Sequence, residues 1–308
     1  MERPGVLAGI GHTPLVKVTR LVGESDASLW VKLEAANPTG SYKDRMALAM
    51  IEGAERSGRL APGQTVVEYT GGSTGSSLAL VCSLKGYPLR IVTSDAFAKA
   101  KLQTMLALGA QLEVVESPDG ITPDLIPRLQ QRAKEIVAEV GGFATDQFNN
   151  RDALDGYREI GLEIAEQLDG SLDAFTTYIG VGGCFLGTIQ GLTTRWPHFL
   201  RVAVEPSESA VLSGRQPGTH RIEGGGVGFV PPLLDNGSSF DEVITVSSNE
   251  AFDTARRAAR EVGIWSGPSG GANLNAAMTL ARRLGAGNQV ITIQPDSGLK
   301  YLGGDLYR

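Results

Sequence analysis

Extended apolar runs alternate with amphipathic helical ones along nearly the whole chain, and this alternation restricts the fold more than any other feature. Residues 29–33 read as a strand and 44–56 as a helix ended by Gly58, with Met46, Ala47, Met50, Ile51 and Ala54 on one face. Residues 65–69, 89–93 and 112–115 read as further strands, and helices are expected over 74–85, 96–108 and 123–140. After Phe148-Asn149-Asn150 a second series begins with a helix near 152–168, a strand at 174–179 and a helix over 186–194. Strands at 200–204 and 242–246, helices over 249–262 and 271–284, and a strand at 289–293 complete it. Such alternation predicts an α/β fold whose parallel sheets are covered by helices on both faces. At 308 residues the chain has room for two domains. Segment 206–241, rich in Gly and Pro, is a long excursion of the kind that carries function in compact domains.

Three segments at strand-to-helix junctions carry chemistry. Lys43 lies in Asn37-Pro38-Thr39-Gly40-Ser41-Tyr42-Lys43-Asp44-Arg45, at the expected start of a helix. Taken alone it reads as a solvated surface lysine. At a helix N-terminus, however, the positive end of the helix dipole favours the neutral amine, which is the nucleophile that attacks an aldehyde. Gly180-Val181-Gly182-Gly183-Cys184-Phe185-Leu186-Gly187 lies between a strand and a helix, where backbone amides converge on a phosphate or simply make a tight turn. It is not a dinucleotide fingerprint, since Phe185 stands where the third glycine belongs, and no Gly-Lys-Ser/Thr follows to make a nucleotide P-loop. Thr70-Gly71-Gly72-Ser73-Thr74-Gly75 combines hydroxyls with exposed amides, which suits a carboxylate; plain helix capping by Ser73 or Thr74 is the simpler alternative. Ser269, in Gly267-Pro268-Ser269-Gly270-Gly271, also reads by itself as an N-cap. A lysine at a helix start, a phosphate loop and a carboxylate loop together point to pyridoxal phosphate held as a Schiff base and working on an amino acid.

Composition narrows the remaining classes. A formal net charge of −6 with no Lys/Arg stripe argues against a nucleic-acid partner. His12, His198 and His220 are scattered and Cys82 and Cys184 lie far apart, so no metal site is expected. Two cysteines without a framework suit a reducing compartment. Met1-Glu2-Arg3-Pro4-Gly5 lacks the apolar run of a signal peptide, and no stretch is long enough to span a membrane; a cytoplasmic protein is expected.

Taken together the motifs resemble the cysteine synthase and cystathionine β-synthase family, fold-type-II pyridoxal-phosphate-dependent enzymes, over nearly the whole chain. Gly11-His12-Thr13-Pro14-Leu15 resembles its N-terminal signature, 37–45 its cofactor-lysine motif, 70–75 its substrate loop and 180–184 its phosphate loop. Val204-Glu205-Pro206-Ser207, 224–231, Gly263-Ile264, the Ser269 motif and Pro295-Asp296-Ser297 fall in the family's order. The resemblance implies two doubly wound parallel-sheet domains, like the tryptophan synthase β-subunit. A small mobile domain at 47–150 would carry the substrate-carboxylate loop, and 1–46 plus 151–308 would form the large cofactor-binding domain. It implies that Lys43 is catalytic and bonds the cofactor, and that Gly180, Val181, Gly182, Gly183 and Cys184 bind its phosphate. Ser73 would lie near the ring oxygen and Ser269 would face the ring nitrogen. Thr70, Gly71, Thr74 and Gln147 would hold the substrate carboxylate, with Gly224 on the facing wall. The implied activity is β-replacement on an activated L-serine, O-acetylserine or serine itself, by a sulfur nucleophile through an aminoacrylate intermediate, in a cytoplasmic homodimer serving cysteine biosynthesis. A β-eliminating amino-acid lyase (serine or threonine dehydratase, or cysteine desulfhydrase) is the alternative within enzymes. A non-catalytic paralogue binding a partner's C-terminal peptide is the alternative outside them.

Overall fold

The computed structural model describes residues 5–118, 124–234 and 239–308. Its strands are β1 (Leu15–Val18), β2 (Ser28–Leu33), β3 (Val66–Tyr69), β4 (Leu89–Ser94), β5 (Gln111–Val115), β6 (Phe143–Ala144), β7 (Ala174–Tyr178), β8 (Leu200–Pro206), β9 (Glu242–Val246) and β10 (Gln289–Gln294). Its helices are α1 (Lys43–Arg56), α2 (Ser73–Lys85), α3 (Lys99–Ala107), α4 (Leu125–Val140), α5 (Asp152–Gln167), α6 (Gly183–Leu192), α7 (Ser248–Val262) and α8 (Pro268–Leu284). The chain divides into two compact units, Met1–Ile10 with Lys43–Gly156, and Gly11–Tyr42 with Tyr157–Arg308.

The smaller unit holds a four-stranded, wholly parallel sheet in the order β5-β4-β3-β6. β3 is buried along its length, as a central parallel strand must be. On one face Val67, Tyr69 and Val92 pack with Leu125, Leu129, Ala133 and Ile136 of α4. α2, paired with α1, lies on β3 and β4. The chain runs β3, β4, β5 in one direction and then returns to place β6 on the other side of β3. The point where strand order reverses is therefore between β3 and β6, and crevices at the carboxyl ends of such strands are where open α/β sheets bind ligands.

The larger unit has a six-stranded sheet in the order β1-β2-β10-β7-β8-β9. All neighbours are parallel except β1, which runs antiparallel to β2 at the edge, a strand that periodicity did not reveal. Leu29, Ala174, Val202 and Val290 face a core with Ala258 of α7 and Leu274, Ala277 and Leu280 of α8. The next residue of β7, Phe175, points the other way and stacks on Phe185 of α6, ring centroids 6.1 Å apart. This alternation makes the sheet doubly wound. Here the order reverses between β7 and β10, so the loops after those two strands bracket the switch point.

Several helix starts depart from expectation. α6 begins at Gly183 instead of 186, and α8 at Pro268 instead of 271, because Gly, Pro and Ser give no apolar period to read. α3 begins at Lys99 instead of 96. The expected start of α4 at 123 lies outside the described residues. α7 is placed by a capping box: Glu250 N donates to Ser247 Oγ at 3.2 Å, and Ser247 N donates to Glu250 Oε2 at 2.8 Å.

Candidate active site

In the smaller unit, Lys43 is the first residue of α1, at the positive end of the helix dipole. The first turn of α1 is tied to α2 by Ser77 Oγ, which donates to the Asp44 carboxylate at 2.6 Å. α2 opens directly out of the 70–75 loop. Its N-cap is Gly72, with no side-chain cap, so neither Ser73 nor Thr74 caps the helix and the simple capping alternative falls. A helix start capped by glycine, with the dipole behind it and hydroxyls at 70, 73 and 74, has the chemistry that suits a carboxylate. Thr70 Oγ1 accepts from Gly72 N at 3.1 Å and shapes the turn. Thr74 Oγ1 donates to Gln147 Oε1 at 2.9 Å, which brings the loop after β3 together with the loop after β6. Thr70, Gly71, Ser73, Thr74 and Gln147 thus gather at the switch point of this sheet. Gly71 has no room for a side chain, because the Phe97 ring fills the place a Cβ would take.

In the larger unit, β7 leads into Ile179-Gly180-Val181-Gly182 and then α6. Gly182 is the N-cap, at φ +84°, a left-handed conformation that favours glycine, and it offers no side-chain cap. A Cβ on Gly180 would stand 2.7 Å from Gly224 O, and one on Gly224 would stand 3.8 Å from Ser269 Oγ. Gly180, Gly224 and Ser269 are therefore neighbours. Ser269 is buried in the first turn of α8, whose N-cap is Gly267, so the reading of Ser269 as an N-cap is corrected. Val181 and Cys184 are buried, and the Cys184 thiol lies 4.0 Å from Thr188 Oγ1. Within this unit, an uncapped helix start in a glycine cradle that a Cβ would fill fits the phosphate of pyridoxal phosphate.

Other residues support these loops; of them only Asp296, within Pro295-Asp296-Ser297, belongs to a motif singled out in the sequence. Lys32, buried within β2, pairs with Glu163 at 2.7 Å. Glu163 accepts from His12 N at 2.9 Å and Thr13 N at 3.2 Å, which fixes the Gly11-His12-Thr13 turn with His12 at φ +50°. Asp296, following β10, accepts from Gly267 N at 3.2 Å and Tyr301 Oη at 2.7 Å, fixing the start of α8. Glu68, in β3, holds the 145–147 turn. The signal was the same for Lys32 and Glu68: a charge interrupting an apolar strand, which burial tolerates only when it is partnered. Among the described residues no helix is long and apolar enough to cross a membrane.

The pyridoxal-phosphate dependent enzyme family matches residues 6–296. A cysteine synthase of Staphylococcus aureus (strain Mu50 / ATCC 700699) is 40% identical over 301 residues, 97% of this chain and 95% of that protein. The crystal structure of O-acetyl serine sulfhydrylase isoform 3 from Entamoeba histolytica superposes with a TM-score of 0.91 at 32% identity, covering 98% of this chain and 91% of that one. The O-acetylserine dependent cystathionine beta-synthase from Helicobacter pylori superposes with a TM-score of 0.91 at 35% identity over 100% of both chains.

Proposed function

This chain belongs to the cysteine synthase and cystathionine β-synthase family of fold-type-II pyridoxal-phosphate-dependent enzymes, and we propose that it performs β-replacement on O-acetyl-L-serine with a sulfur nucleophile. The observation that carries the reading is that both glycine-rich loops lie at switch points and open uncapped helices, in a chain whose Lys43 opens a third. Pyridoxal phosphate, when bound, supplies an aldehyde for the substrate amine and a ring that accepts the electron pair released at Cα. Lys43 Nζ would hold the cofactor's aldehyde carbon and, with substrate in its place there, would be the base that takes the Cα proton. The amides of 180–184 bind the phosphate. Ser73 would stand near the ring oxygen, and Ser269 Oγ would offer the ring nitrogen a neutral hydrogen bond, which would make the ring a weaker electron sink. Rapid departure of a leaving group from Cβ is then favoured over slower chemistry at Cα. Thr70, Gly71, Thr74 and Gln147 bind the carboxylate, and Gly224 lacks a side chain that would crowd the substrate. In the replacement, acetate would leave Cβ with the bonding electron pair, the sulfur nucleophile would bond Cβ with its own, and Lys43 would return the proton to Cα.

The test is a visible absorption spectrum of the purified protein before and after O-acetyl-L-serine. The cofactor band should shift without sulfide and return when sulfide is added, with cysteine formed; Lys43→Ala should abolish turnover. A band unmoved by O-acetylserine overturns the substrate. Pyruvate and ammonia in place of cysteine assign β-elimination. Further parts of the proposal are a cytoplasmic homodimer with no nucleic-acid partner. Cys82 and Cys184, buried and without a disulfide, suit a reducing compartment, and the charge of −6 disfavours polyanions. The dimer rests on the family alone and is checked by sedimentation.

A further inference from the structure

Glu68 is a carboxylate inside an apolar strand, 1% exposed, two residues before the 70–75 loop. All three of its hydrogen-bond partners donate. Tyr69 N reaches Oε1 at 2.9 Å, while Thr145 Oγ1 and Gln147 N reach Oε2 at 2.7 and 3.2 Å. Thr145 and Gln147 flank Asp146, a non-glycine residue held at φ +46°. That conformation costs on the order of 1 kcal/mol and persists only where its surroundings impose it. Asp146 O accepts from Asn149 N and Asn150 N at 3.0 and 2.9 Å, and the bonds on either side of it, from Thr145 Oγ1 and Gln147 N, end on Glu68. Gln147 in turn accepts from Thr74 through Oε1, which leaves Nε2 as the donor end of its amide.

We propose that ionised Glu68 is the positioning residue of the substrate-carboxylate site, holding the Gln147 amide in register with Thr74 through the 145–147 turn. The proposal rests on the reading of Thr74 and Gln147 as carboxylate-binding residues. A carboxylate accepts all three bonds, whereas a protonated carboxyl, its proton given to the Thr145 hydroxyl, is a poorer acceptor for the obligate donor Gln147 N. The Gln147 N bond, the longest of the three, is the first to go. Burial pushes the Glu68 carboxyl up to about 7, against the lowering effect of its hydrogen bonds and with the Asp146 charge adding to the rise. The other groups around it carry no charge in this range. Tyr69, on the same strand, has its phenol raised by burial and stays neutral. β4 places Ile91 opposite Glu68, α2 lies on β3 and carries Thr74, and α4 packs on the other face of the strand, against Val67 and Tyr69. Affinity for the amino-acid substrate therefore falls as pH drops through about 7.

Steady-state kinetics of the holoenzyme with O-acetyl-L-serine across the neutral range, with calorimetric binding of L-serine in parallel, test this. In the wild type KM should rise on the acid side with a smaller change in kcat. Glu68→Gln places an N–H against a donor; KM should be about tenfold higher above neutrality and the acid limb should vanish. Thr145→Val withdraws a donor from the carboxylate and should move the limb to higher pH, a displacement that a merely structural residue would not produce. An acid limb unchanged in Glu68→Gln, or unmoved in Thr145→Val, overturns the proposal; if Glu68→Gln fails to fold, Thr145→Val decides. Gln147→Ala separates the two readings. If it leaves KM unchanged, the carboxylate assignment falls and the proposal with it. If it raises KM while the other two variants leave KM and the limb unmoved, only the role of Glu68 falls.

Discussion

Geometry favours Glu68 as an anion and burial opposes it, and the two effects separate in their dependence on pH. Between about 4.5 and about 7 the folded chain keeps a proton on Glu68 that the unfolded chain has released. Folding takes up that proton, so the stability this residue contributes falls as pH rises through the window and is level on either side. The total change is about 3 kcal/mol. Measured by denaturant unfolding, the advantage of wild type over Glu68→Gln should shrink by that order between the two ends of the window. A difference independent of pH would remove Glu68 as a buried titrating group. Substrate affinity is expected to move the opposite way, improving as stability declines, which is the trade a strained binding site makes. Single residues were unequally legible. Lys43 stood out because a helix start and two anion loops gave it context. Glu68 and Lys32 did not, because their partners come from a turn some 77 positions away and from α5, some 131 positions away, and no local pattern records such pairings.

Helices α5 and α6 cross so closely that their glycines meet backbone. A Cβ on Gly191 would overlap Arg158 O, and one on Gly161 would overlap Thr188 O. This crossing sets where α6 begins, and hence where the 180–184 amides point. Gly191→Ala should cost about 1–3 kcal/mol by overpacking and weaken pyridoxal phosphate binding several-fold, read by thermal melting and cofactor fluorescence titration. Ser247→Ala, which breaks the capping box of α7, should cost about 1 kcal/mol and leave cofactor affinity unchanged. Equal effects of the two variants on cofactor binding would refute the special role of the crossing. The same contrast explains which element boundaries were legible. The expected start of α7 lay one residue from the observed one, whereas α6 and α8 begin in glycine, proline and serine whose role is set by the loop before them. The four-residue β1 follows Pro14 and pairs antiparallel, so neither length nor alternation announced it.

On the scale of the whole molecule, both sheets obey one rule: a central strand, β3 or β7, delivers a glycine-rich loop at the point where strand order reverses. Alternation in the sequence implied parallel sheets, but strand order depends on pairings between distant segments and is not written in any local period. The expectation that 47–150 moves as a body on substrate binding stands as our proposal, since a reactive species formed on the substrate must be kept from water. The chain is well suited to a direct test, because its native thiols, Cys82 and Cys184, are buried and will not compete for labels. Leu84 and Leu302 are 47% and 55% exposed, the first within 47–150 and the second outside it. With Leu84→Cys and Leu302→Cys carrying a donor and an acceptor dye, the energy-transfer efficiency should change when O-acetyl-L-serine is added to the holoenzyme. The change should be absent in Gln147→Ala at the same substrate concentration, because the carboxylate is what the moving segment grips. An efficiency that stays constant through saturation with substrate would mean that the loop 70–75 closes alone, or not at all, and that the body carrying it does not move.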